Sequence, residues 1–190
     1  MNKFKKTDIR YLNDMRQVVY DKEWLKTAKN SELYYMYRGV KKDCELRYDI
    51  TVIPPKKLGK EFVKTKGNCN SKSFPELYTV LKGKAIFLMQ KTKGKMIKDV
   101  FAVKAAKENW IIVPPEYYVI SINPSNSILK LGNWVSEKNK NIYKDIEIMH
   151  GACYFYTKSG WIKNKKCLKV PKLRFEKPLK SIPKDLRFLL

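Results

Sequence analysis

Apolar and polar positions alternate along most of this chain in short runs. Gly, Pro, Asn and Asp clusters break the runs at intervals of roughly eight to twelve residues, the pattern of an all-β sandwich or barrel. Residues 6–30 read as an opening segment with some helix. Asp8 or Asn13 is its candidate cap, and Met15, Val18, Val19 and Trp24 are its apolar positions. ELYYMYRGV, from Glu32 to Val40, is an aromatic strand, and Lys41, Lys42 and Asp43 form a polar turn after it. In ELRYDITVIPP, Leu46, Tyr48, Ile50 and Val52 alternate, which predicts one buried face. Pro54 and Pro55 end that strand. Gly59 opens KEFVKTKGNCN. Lys82-Gly83-Lys84 and the region of Gly94 are hairpin signals. Three more strands follow, broken at Glu108-Asn109, Pro114-Pro115 and Pro124-Ser125-Asn126, and Ala152–Thr157 gives another.

Past residue 158 the pattern loosens. Val170, Leu173, Phe175, Leu179 and Leu186 are spaced irregularly among prolines, which predicts an extended strap over the barrel. The expected organisation is one domain in three parts. Residues 1–44 are an N-terminal extension with the first strands, 45–157 the barrel, and 158–190 the strap.

Composition supports a packed core: 44% of the 190 residues are hydrophobic, and twelve are Tyr, a residue that favours half-buried strands. Charge is lopsided, with 41 Lys and Arg against 18 Asp and Glu, or +23. Such a charge attracts phosphate groups and nucleic acid; a generically lysine-rich surface is the plainer reading. Residues 158–190 alone hold eleven Lys and Arg against two acids. The four cysteines, Cys44, Cys69, Cys153 and Cys167, include no C-x-x-C pair, so zinc-ribbon and thioredoxin motifs are absent. The start, MNKFKKTDIRYLNDM, is polar, and no long apolar run exists. The expectation is a cytoplasmic protein with reduced thiols and no membrane span. His150 is the single histidine, which excludes multi-histidine metal centres and HExxH sites.

The stretch Thr65-Lys66-Gly67-Asn68-Cys69-Asn70 carries the densest signal. On a strand, Asn68 and Asn70 share one face and Cys69 takes the other, as a small core residue. Glu76 follows a short loop, so the three polar side chains can meet in the mouth of a small barrel. Alternatively, the two Asn cap a turn and Glu76 is a rim charge. Alternation points Lys64 and Lys66 away from Thr65.

GKEFVKTKGNCN, PELYTVLKGKAIFLMQ and IIVPPEYYVISINPSNSILKLGNWVS, in that order and spacing, resemble the cupins of the archaeal-type phosphoglucose isomerase family. RYLNDMRQVVYDKEW, LRYDITVIPP and VPKLRFEKP extend the resemblance over nearly the whole chain. It implies a single cupin barrel, often a homodimer, that interconverts glucose 6-phosphate and fructose 6-phosphate with a divalent metal. The family's H-x-H ligand pair falls on Asn68 and Asn70, its ligand Glu on Glu76, and its third His on Val119. Three of four ligand positions thus lack imidazole, and the expectation is no bound transition metal; the two Asn with Glu76 could hold only Mg²⁺ or Ca²⁺, weakly. The family's phosphate-binding positions fall on Tyr34, Thr51, Thr65 and Gly67, and its base on Glu76; His150 lies outside the pattern.

Two functions follow as expectations. One is a metal-free glucose-6-phosphate isomerase homologue that binds a sugar phosphate and carries out aldose–ketose isomerisation only if Glu76 can act unaided by metal. The other is an inactive basic cupin reused to bind nucleic acid, ribosome or protein. RNP1, zinc-finger and KH motifs are absent.

Overall fold

The computed structural model describes residues 7–71 and 74–190, so residues 1–6 of the expected N-terminal segment lie outside it. The chain opens on strand β1 (Thr7–Tyr11), helix α1 (Leu12–Met15) and helix α2 (Lys22–Thr27). The long strands β2 (Glu32–Asp43) and β3 (Leu46–Ile53) follow, then the short β4 (Lys57–Leu58), β5 (Glu61–Phe62) and β6 (Cys69–Asn70). The barrel wall is completed by β7 (Glu76–Lys82), β8 (Lys84–Lys93), β9 (Met96–Ala106), β10 (Trp110–Val113), β11 (Tyr117–Ile122) and β12 (Leu129–Ser136). After β13 (Asn141–Ile142) come helix α3 (Lys144–Ile148), the hairpin β14 (Tyr154–Thr157) and β15 (Gly160–Lys163), and β16 (Arg174–Glu176).

Two sheets enclose the core. One is ordered β1-β2-β3-β12-β7-β10, the other β11-β8-β9-β16. The segment before β6 extends the second sheet along β11: Thr65 N donates to Ser121 O (2.9 Å), and Val119 and Asn68 exchange backbone hydrogen bonds. Phe87, Leu88, Met89 and Leu131 are almost wholly buried in the main core, Leu88 on the face of β8 opposite Phe87 and Met89, each stabilising the fold by roughly 1.5–3 kcal/mol through area removed from water. This is a single all-β cupin barrel, as the alternation predicts. No helix among the described residues is long and apolar enough to cross a membrane.

Several local expectations need correction. Asp8 lies in β1, not at a helix cap, and Asn13 is inside α1. The first helix is closed instead by Asp14, which accepts from Tyr11 N (2.9 Å), and the second by Asp21, which accepts from Trp24 N (3.1 Å). Lys41–Asp43 continue β2, paired with β3, and the turn falls on Cys44 and Glu45, with Cys44 at φ 50°. Pairing across the strand end outweighs the polar composition there.

On β3, Leu46 and Ile50 of the expected apolar face are buried, and Tyr48 and Val52 are half-buried. Asp49 and Thr51 point into the barrel, while Leu46 lies in a second cluster with Leu77, Leu189, Trp110, Trp134 and Leu186. Tyr48 packs on Trp134 with ring centroids 4.8 Å apart. The apolar stripe of β3 is therefore covered from outside, and the inner face carries the polar site.

The strap is folded onto the barrel, and of the apolar side chains expected to pack, Val170, Leu173 and Leu186 do so, each partly buried. β16 adds in parallel to the edge of β9, and Leu179 and Trp110 exchange backbone hydrogen bonds of 2.9 and 2.8 Å. Leu189, wholly buried against Leu46 and Leu77, plants the chain end. Phe175 and Leu179 instead remain 55% and 41% exposed. Backbone pairing at a sheet edge holds this segment, which frees those side chains from any packing role.

Candidate active site in the barrel

Strands β2, β3, β7 and β12, with the segment leading to β6, surround one polar cavity. Tyr34, Thr51, Thr65, Gly67, Asn68 and Glu76 all line it, so six positions singled out in the sequence converge. Its volume is ≈40 Å³, space for one or two water molecules. The Thr65 hydroxyl accepts from Ser121 N (3.0 Å), which leaves its own proton to donate. The Tyr34 hydroxyl accepts from Lys66 N (3.2 Å), and burial first of all pushes its pKa up, so it stays a donor. Gly67 sits at φ 91°, and a Cβ there would lie 2.8 Å from Ile120 Cγ1. The backbone alone can turn at this point.

Glu76, at the start of β7, is 4% exposed. Burial raises its pKa, partly offset by hydrogen bonds from Asn133, Tyr78 and Asn70 and by the nearby Arg38 charge. Asn133 Nδ2 donates to Glu76 Oε2, while Asn133 Oδ1 is buried with no hydrogen-bond partner. Tyr78 is held well above its usual pKa by burial and then by Glu76. Arg38 faces the same cavity; Asp49 fixes it at 2.8 Å and also accepts from Gly39 N (2.8 Å) and Arg47 Nε (3.1 Å).

The donor set does not fit a transition metal. Asn70 uses both ends of its amide, donating to Phe74 O (2.9 Å) and accepting from Asn139 Nδ2 (2.8 Å). Asn68 Nδ2 points to Asn141 Oδ1 at 3.4 Å, and Asn139 Nδ2 to the same oxygen at 3.3 Å. Val119 pairs with Asn68 across the sheet and lies 2% exposed in the apolar core. Asn68, Asn70, Asn139 and Asn141 thus form a chain of neutral amides, which are poor donors to a transition metal. Among the described residues, no three His, Cys, Asp or Glu side chains gather.

Of the remaining sequence candidates, Lys66 also borders the cavity and Asn70 reaches it only through its hydrogen bond to Glu76; the others lie elsewhere. Asn70 and Val119 do not line the cavity. Lys64 is buried in an ion pair with Glu61 and donates to Val18 O (3.0 Å); Lys66 pairs with Glu147 (2.6 Å). His150 is exposed at φ 56°. Cys69 is buried, and burial pushes its thiol up to about 11.

Sequence reasoning missed Arg38, Tyr78, Asn133, Asn139, Asn141 and Tyr143, all of which line the cavity. Two were within reach: Tyr78 is two residues after Glu76, and Arg38 four after Tyr34, each on the same strand face as its predecessor. Asn133 was not, because it meets Glu76 only through the antiparallel pairing of β12 with β7, where it stands opposite Tyr78.

A family model described as glucose-6-phosphate isomerase (GPI) matches residues 9–172. The chain is 35% identical over 96 residues to the glucose-6-phosphate isomerase of Thermococcus litoralis, covering 47% of this chain and 50% of that one. It is 30% identical over 124 residues to that of Pyrococcus furiosus, covering 62% and 64%. The chain spans about half the length of the curated relatives it matches first. Among solved structures it is similar to the Schizosaccharomyces pombe Cnp3 cupin domain, at 12% identity and TM-score 0.41, over 67% of this chain and 79% of that one. With the family model covering residues 9–172, the chain belongs to the glucose-6-phosphate isomerase family.

Proposed function

We propose that the barrel binds a phosphorylated sugar without a transition metal, and that Glu76 is the group placed to move a proton on it. One observation carries this reading: the hydroxyls of Tyr34, Thr51 and Thr65, the Gly67 backbone and the Glu76 carboxylate all border a single cavity. The hydroxyls and the backbone suit phosphate oxygens. The buried Asn133 Oδ1, which lacks a partner, suits a sugar hydroxyl, since an unpaired buried acceptor costs about 1–3 kcal/mol until a donor reaches it.

Aldose–ketose isomerisation requires a base that carries a proton between adjacent carbons. Burial makes the Glu76 carboxylate a stronger base than an exposed one. The developing oxyanion requires donors, and Arg38, Tyr78 and Asn133 Nδ2 are those the cavity offers. Ligand pockets of this class run to roughly 300–1,000 Å³, so entry of a hexose phosphate requires the ≈40 Å³ cavity to widen.

The test is thermal denaturation with fructose 6-phosphate, fructose, phosphate and sulfate at matched ionic strength. Ligand at about a hundred times its dissociation constant adds roughly 2.7 kcal/mol. Stabilisation by fructose 6-phosphate beyond the anion controls, lost in Thr65→Val, supports the reading. No excess over phosphate and sulfate rejects it.

A further inference from the structure

We propose that a lysine-lined track on the outside of the barrel, beside the strap, binds single-stranded nucleic acid. The track shares no lining residue with the barrel cavity. It begins at Phe175, the aromatic ring of β16 left 55% exposed by edge pairing. Lys104 Nζ lies 5.5 Å from the centroid of that ring, and Lys104, Phe175 and Lys177 line a depression of ≈320 Å³. Lys104 is also a wall of the next depression, of ≈350 Å³, which Lys84 and Tyr156 border.

From Tyr156 the path continues over stacked rings. Phe62 lies parallel to Tyr156 at 5.4 Å, and Lys57 Nζ sits above Phe62 at 2.8 Å. Lys57, Lys60 and Lys158 then line a third depression of ≈480 Å³. Three consecutive depressions, each with cations, and one exposed aromatic ring at the start are what a strand of phosphates and unpaired bases requires.

The charge along this path is not neutralised. Among the described residues, no ion pair engages Lys57, Lys60, Lys84, Lys104, Lys158 or Lys177. Two carboxylates lie alongside, and both are occupied: Glu176 accepts from Arg174 Nε (3.1 Å), and Asp21 from the backbone N–H groups of Lys60 (3.2 Å) and Trp24 (3.1 Å). The strap residues 158–190 hold eleven of the chain's 41 Lys and Arg, part of its +23 net charge. A featureless polyanion would be served by the lysines alone. The exposed Phe175 ring distinguishes a partner with stacking faces, and a duplex keeps those faces turned inward.

The experiment is fluorescence anisotropy of the full chain with a labelled twelve-nucleotide oligo(U). Polyglutamate, a duplex of equal length and anionic phospholipid vesicles serve as competitors. Oligo(U) should bind with an affinity that falls steeply with salt. Lys84→Gln/Lys104→Gln should make the log–log salt slope shallower by about 1.4, at roughly 0.7 for each phosphate no longer neutralised. Phe175→Ala should weaken oligo(U) roughly tenfold and leave polyglutamate unchanged. Phe175 is exposed, so its variant should melt with the wild type, and Thr65→Val in the barrel should bind oligo(U) normally. The proposal is overturned if Phe175→Ala binds oligo(U) as tightly as wild type, or if polyglutamate, the duplex or the vesicles compete as well as oligo(U) itself.

Discussion

Replacing Gly67 by Ala probes the backbone on which the cavity is built. Two costs arise. At φ 91° an L-residue is strained by about 1–2 kcal/mol. The new Cβ would also stand 2.8 Å from Ile120 Cγ1, with Ile146 Cγ1 at 3.6 Å behind it. Overpacking of this kind costs about 1–3 kcal/mol. Together they predict a loss of roughly 2–5 kcal/mol, a large part of a stability near 5–15 kcal/mol. For a chain of this length that is a drop in Tm on the order of 4–20 °C. The steric part is separable, because Ile120→Ala removes the carbon that clashes. Ile120→Ala alone should cost about 2–5 kcal/mol. In the double variant, the methyl group introduced at position 67 recovers part of the lost volume, and the two costs should fall short of additive by about 1 kcal/mol or more. Urea denaturation of the four proteins gives the cycle. Strict additivity would refute the contact with Ile120, and a Gly67→Ala cost below about 0.5 kcal/mol would refute the strain as well.

Glu76→Gln should be more stable than wild type at neutral pH. Burial raises the carboxyl pKa in the folded state, so the native protein holds its proton more tightly than the unfolded chain does. That contribution is complete below the unfolded value and is lost as pH rises through the folded one. The gap between the proteins should therefore close as pH falls through the raised folded value and be gone below the ordinary value near 4.5, its size about 1.4 kcal/mol per unit of pKa difference; a gap that widens in acid would contradict the assignment. Asp49→Ala strands the Arg38 and Arg47 guanidinium groups and the Gly39 N–H, and should cost about 2–4 kcal/mol by denaturant titration, discounted for the partial exposure of both arginines. Leu189→Ala should cost about 2–5 kcal/mol, against roughly 0.5 or less for Phe175→Ala, because the strap is anchored by Leu189 and β16 pairing. The reverse order would restore the expectation that Phe175 packs down.

Alternation and turn residues made the barrel legible, because period-two patterning fixes strands whatever covers them. They did not reveal which face of β3 looks inward. Leu46 and Tyr48 make the apolar stripe, but Trp134, Leu77 and the strap cover it from outside, and strap docking depends on a chain end far away in sequence. The polar side of the cavity was legible where it lies in one segment, from Thr65 to Glu76, and invisible where it depends on strand order. Asn133, Asn139 and Asn141 reach Glu76, Asn70 and Asn68 only through pairing of β12 with β7 and of β13 with β6. Burial of Phe175 was expected from its apolarity; its exposure follows from backbone pairing at a sheet edge, which no hydropathy pattern encodes.

The central claim is a sugar-phosphate pocket that works without a transition metal. Calorimetric titration of fructose 6-phosphate tests it directly, in three samples: chelator-treated protein, the same protein with added Mn²⁺, and chelator-treated Thr65→Val. Neutral amides at Asn68 and Asn70 and an apolar side chain at Val119 predict the same dissociation constant with chelator and with Mn²⁺, and loss of binding in Thr65→Val. Binding that vanishes with chelator and returns with Mn²⁺ would contradict the account.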